Sequence, residues 1–80
     1  MRIKKAVIYR IKELCKKKNL KLNSLANISG ITPSTVYTMF DNSRKDVGIV
    51  TIKKLCDGLD VTINEFFSDD IFENLEQEIK

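Results

Sequence analysis

Eighty residues, 42% of them hydrophobic and 31% charged, suffice for one small core and not for two. Two cysteines and no histidine exclude a four-ligand zinc site and any histidine-based catalytic dyad, so no metal, cofactor or enzymatic activity is expected. No stretch is long and apolar enough to span a membrane, and the many lysines together with the lack of a signal peptide predict a cytoplasmic chain.

The first predicted helix runs from about Ile3 to Lys18. Val7, Ile11 and Leu14 recur at the spacing of one helix face, which a core helix requires, although its lysines would also suit a helix lying on a membrane surface. Lys16, Lys17 and Lys18 sit where cations complement the helix dipole. The next segment, Leu22 to Phe40, reads as two short helices joined by a tight turn. A second helix from about Leu22 to Ser29 has Leu25 and Ala26 inward, the small Ala26 permitting close approach of another helix. Gly30 supplies the left-handed residue that ends it. Thr32 is a good N-cap and Pro33 suits the first position of a third helix, which extends to about Asp41. Val36 and Met39 then point inward, leaving Ser34, Thr35, Tyr37 and Thr38 outward. Short hydroxyls plus one aromatic on an exposed helix suit hydrogen bonds and methyl contacts to base edges in a DNA major groove.

A polar loop, Asp41 to Gly48, follows. Its Arg44 and Lys45 stand where the backbone of a duplex lying on the third helix would pass. The fourth helix is predicted from Ile49 to about Gly58, with Ile49, Ile52, Leu55 and Cys56 as its inward stripe. Cys15 and Cys56 both fall in apolar-periodic helices and read as small buried hydrophobes. Thr62-Ile63-Asn64-Glu65 matches a capping box opening a short fifth helix, with Ile63, Phe66 and Phe67 facing the core. Ser68-Asp69-Asp70 then caps a sixth, carrying Ile71, Phe72, Leu75 and Ile79 along one side. A helix this short is marginal unless its apolar face is buried, so the tail either docks on its own domain or meets a partner. The expected division is a domain over 1–68 and an acidic amphipathic tail or helix over 69–80.

Charge is divided along the chain. Thirteen lysines and arginines face three carboxylates before Leu55, a net of +10, and one lysine faces eight carboxylates from Leu55 onward, a net of −7. A basic body bearing such a helix pair is the electrostatic footprint of a phosphate-binding surface.

From Val7 to Phe67 the chain resembles the lambda-repressor-like (Xre/Cro) helix-turn-helix regulators. The resemblance rests on the first-helix IKEL, the LANISGITPSTVY core of the motif and the closing TIKKLCDGLDVTINEFF. It implies an all-α, five-helix DNA-binding domain, with or without a short sixth helix, that binds double-stranded DNA as a homodimer and represses transcription from a palindromic operator. By that likeness Thr32, Ser34, Thr35, Tyr37 and Thr38 occupy base-reading or adjacent phosphate-contacting positions, Asn23 and Ser24 backbone-contacting positions, and Asn42, Ser43, Arg44 and Lys45 the phosphate-contacting loop. Two departures stand out. Leu22 occupies a position where relatives often carry a glutamine that braces the recognition helix. Relatives also pair a first-helix arginine with an acid near the end of the third helix, where this chain has Phe40, so Arg10 is expected to be free for solvent or phosphate. The alternative is a protein-interaction module, such as an antitoxin with the same fold, gripping its partner through Ile71 to Ile79. No small-molecule substrate is indicated.

Overall fold

The computed structural model describes residues 1–41 and 46–79, which form α1 (Ile3–Lys17), α2 (Leu22–Ile28), α3 (Pro33–Met39), α4 (Ile49–Leu59), α5 (Ile63–Phe66) and a single 3-10 turn, Asp70–Phe72. The all-α, five-helix expectation holds. Every helix contributes to one core: Val7, Ile11, Leu14 and Cys15 of α1, Leu25 of α2, Met39 of α3, Ile52, Leu55, Cys56 and Leu59 of α4, and Phe66 of α5. Ala26 and Val36 are also buried. Both cysteines are free and buried, and burial pushes both thiols above their ordinary range, so they act as small apolar side chains.

The helix ends follow local chemistry. Gly30 takes φ +73° and turns the chain from α2 toward α3. Thr62 and Glu65 form the reciprocal cap of α5: Thr62 Oγ1 accepts from the Glu65 amide and Glu65 Oε1 accepts from the Thr62 amide, each at 3.0 Å. The fourth helix ends later than the sequence implied. Gly58 remains inside it, and Asp60, at φ 58°, makes the left-handed closure instead. Packing explains this use of glycine. A Cβ at position 58 would lie 2.0 Å from Ser29 Oγ and 3.2 Å from Leu25 Cδ1, so the missing side chain is what lets α4 approach the end of α2. The extra residue carries Leu59 into the core, where it is fully buried.

Three expectations are overturned. Ile49 does not belong to the inward stripe of α4: it is 69% exposed, because the first turn of that helix projects beyond the core together with exposed Val50, and Ile52, Leu55, Cys56 and Leu59 do the packing. Arg10 is not free. Its Nε donates to the Phe66 carbonyl (2.8 Å), Nη2 to the Glu65 carbonyl (2.9 Å), and Nη1 to Glu13 Oε1 (2.7 Å) and Asp69 Oδ2 (3.3 Å). The side chain is only 11% exposed. One guanidinium therefore closes the C-terminal end of α5, where carbonyls lack intrahelical donors. The third correction concerns the tail. Asp69 caps its first turn by accepting from the Ile71 amide at 2.9 Å, but no helix continues past Phe72.

Beyond that turn the tail returns to the residues that lead into α1. Phe67 and Phe72 pack with centroids 4.9 Å apart and their rings tilted by 58°, beside the buried Phe66. The Glu76 amide donates to the Met1 carbonyl at 3.0 Å, its carboxylate meets the Met1 ammonium at 3.3 Å, and Glu78 pairs with Arg2 at 3.2 Å. Leu75 is half-buried by this return, while Ile79 is left 80% exposed. No helix among the described residues is long and apolar enough to cross a membrane.

Candidate nucleic-acid interface

The outward face of α3 depends on how that helix starts. Thr32 takes the extended N-cap conformation and its Oγ1 accepts from the Thr35 amide at 3.4 Å, with Pro33 entering the first turn. The same oxygen lies 3.0 Å from Ser34 Oγ and 2.9 Å from Thr35 Oγ1. Three hydroxyls are thus gathered around one cap, and each keeps capacity for an outside partner because a hydroxyl both donates and accepts. Thr38 behaves differently. Its Oγ1 donates back to the Ser34 carbonyl at 2.8 Å, a common arrangement for threonine inside a helix, which leaves the methyl as the group offered outward.

Thr32, Ser34, Thr35, Tyr37 and Thr38 are all exposed, as are Asn23 and Ser24 on the first turn of α2. Val36 and Met39 are buried beneath them, so the inward and outward faces of α3 fall as its sequence implies. Asn42, Ser43, Arg44 and Lys45 lie outside the described residues. The helix itself is shorter than expected, ending at Met39 rather than Asp41, with Phe40 as its C-cap.

Two features were not legible from spacing. The first is a tie between the two helices of the motif: Tyr37 Oη donates to Asn23 Oδ1 at 2.9 Å. Residues read separately as base-reading and backbone-contacting are one hydrogen-bonded pair, and it braces α3 against α2 in a chain whose Leu22 packs on the core instead. The second is a groove. Ser34, Thr35 and Thr38 form one wall, and Asp46, Val47 and Gly48, leading into α4, form the other. Asp46 thus lines the same groove as the hydroxyl row; the sequence shows it only as a loop acid.

The family model of the Cro/C1-type helix-turn-helix DNA-binding domain matches residues 10–70. Among solved structures, the crystal structure of prophage Lp1 protein 11 superposes with a TM-score of 0.82 at 30% sequence identity, covering 94% of this chain and 100% of that one. No curated protein matches.

Proposed function

This chain belongs to the Cro/C1-type helix-turn-helix DNA-binding family, and from that premise we propose that it is a transcriptional repressor that reads a palindromic operator as a homodimer, with α3 in the major groove. The observation that carries this reading is the outer face of α3: five exposed polar or aromatic side chains on a helix whose start is capped and whose middle is tied to α2. Thr32, Ser34, Thr35, Tyr37 and Thr38 then face bases or adjacent phosphates, Asn23 and Ser24 face the backbone, and Asn42 to Lys45 supply the phosphate-contacting loop. None of the exposed α3 side chains is an arginine, lysine or glutamine, which make strong bidentate base contacts. Discrimination therefore rests on hydroxyls, the Thr38 methyl against thymine, the Tyr37 ring and the shape of the duplex.

Two-fold pairing would set two recognition helices about 34–36 Å apart, one DNA turn, as a palindrome requires. Selection of bound sequences from a random duplex pool tests the reading. An inverted repeat with half-sites one turn apart supports it, a single unrepeated half-site removes the dimer, and no enrichment over the starting pool removes sequence-specific reading.

A further inference from the structure

The lysines of α1 are not all equivalent. Lys5, Tyr9 and Lys12 follow one another at i, i+4 and i+7, so they share a face, and all three are exposed. They border a surface depression with Ile8 and with Phe40, the residue that caps the end of α3. The Lys12 ammonium sits 5.3 Å from the centroid of the Phe40 ring, and Lys4 donates to the carbonyl of Asp41. This face of α1 is therefore continuous with the end of the helix assigned to the major groove.

Charge is sorted across the same helix. Arg10 of α1 and Arg2, its N-cap, are engaged by Glu13, Asp69 and Glu78, so the acidic tail uses up the arginines on this side of the helix. Among the described residues, neither Lys5 nor Lys12 is ion-paired. Contact with an aromatic ring orients an ammonium without neutralising it, so Lys12 is held in place with its full charge and its N–H donors available. An anchored cation, a second cation two turns away and a phenolic hydroxyl between them match a run of phosphates on a nucleic-acid backbone.

We propose that Lys5, Tyr9 and Lys12 form a second phosphate-contacting strip on α1, gripping the duplex next to the end of α3. This rests on the DNA-binding reading above and adds a surface to it. Such contacts position the protein without reading sequence, so they contribute equally on operator and on random DNA.

The test is a set of fluorescence-anisotropy titrations on a labelled operator duplex taken from the random-pool selection, and on a scrambled duplex, across a range of salt. The proteins are the full chain, the double variant Lys5→Ala/Lys12→Ala, Tyr9→Phe, and a double variant of equal charge change on α4, Lys53→Ala/Lys54→Ala. Two lost phosphate contacts should flatten the slope of log K against log salt by about 1.8, so the affinity ratio between wild type and variant shrinks about twelve-fold between about 50 and about 200 mM salt. Both duplexes should show the same change, the α4 control should show less than half of it, and Tyr9→Phe should weaken binding to both duplexes alike. An unchanged slope in Lys5→Ala/Lys12→Ala, or one equal to that of the α4 control, overturns the strip while leaving DNA binding intact; the first is also the result if this face serves a protein partner. If the full chain shows no salt-dependent binding to either duplex, the DNA-binding reading falls with it. Circular dichroism melts of each variant establish that the fold is retained.

Discussion

Tyr37 on α3 and Asn23 on α2 share a hydrogen bond of 2.9 Å between the phenolic hydroxyl and the amide oxygen, which fixes the angle at which the exposed face of α3 is presented. An exposed hydrogen bond of this kind contributes about 0.5–1.5 kcal/mol, little for folding and enough to bias a side-chain position. Tyr37→Phe should therefore melt within a few degrees of the parent yet lose discrimination between operator and scrambled DNA, by up to about 1–3 kcal/mol if the hydroxyl also reaches a base. Asn23→Ala should reproduce part of that loss. A double-mutant cycle in which the two losses simply add would show that the pair is not coupled on DNA.

Arg10 makes the opposite kind of prediction. Its guanidinium serves two carbonyls of α5 and two carboxylates from a nearly enclosed position, and hydrogen bonds to charged groups contribute about 1.5–3 kcal/mol each. Arg10→Met, which keeps much of the aliphatic stem, should lower unfolding free energy in urea by about 2–4 kcal/mol, since the deleted bonds act as a group. DNA affinity measured well below the melting temperature should stay close to wild type. A variant that folds normally but binds weakly would place Arg10 on phosphate after all.

The contrast between these residues shows what the sequence holds and what it conceals. Helix order, the Gly30 turn, the Thr32 cap and the Thr62–Glu65 box are local, and each was readable because the residues that make it lie within a few positions of one another. The inward face of α3 was readable for the same reason. Arg10 was not: apart from Glu13, its partners lie 55 to 59 positions away, and nothing near Arg10 in the chain marks the carbonyls it closes. Gly58 misled because a glycine near a helix end usually terminates it, whereas here the lack of a Cβ is used against Ser29. The tail misled because its periodic apolar residues carry no information about the Met1 and Arg2 groups that draw it away from a helix.

Packing at Gly58 can be tested against helix propensity. Glycine inside a helix is about 1 kcal/mol worse than alanine, so Gly58→Ala would stabilise an open site. With a Cβ landing 2.0 Å from Ser29 Oγ, the substitution should instead destabilise, by about 1–3 kcal/mol. Ser29 Oγ is buried with no hydrogen-bond partner among the described residues, so Ser29→Ala alone should be neutral or mildly stabilising. The pair Ser29→Ala/Gly58→Ala should recover part of the loss. Additive urea midpoints would refute the assigned clash.

Acid should loosen the C-terminal third first. The Thr62 amide and hydroxyl hold the Glu65 carboxyl below its ordinary range, and the Ile71 amide, aided by Arg10, does the same for Asp69. A carboxylate whose folded-state pKa is depressed contributes stability above its unfolded value, about 4.3 for glutamate and about 3.9 for aspartate, and that contribution disappears as pH falls through the folded value. Melting temperature should thus be level from pH 7 to about 5 and decline below about 4.5. Glu65→Gln and Asp69→Asn should start lower at neutral pH and show a shallower acid decline; parallel curves would assign the acid response to other carboxylates.

The Arg10 clamp also bears on how the molecule is made. Because Arg10 of α1 bonds to the carbonyl of Phe66 and the carboxylate of Asp69, and because Phe66 is fully buried in the core, a nascent chain cannot complete the packing around α1 until residues 66 to 69 have left the ribosome. The recognition segment is translated early and becomes rigid late. A stall or cleavage before Asp69 therefore releases a product that contains every α3 residue proposed to meet DNA and lacks the Arg10–Asp69 contact that helps close the domain.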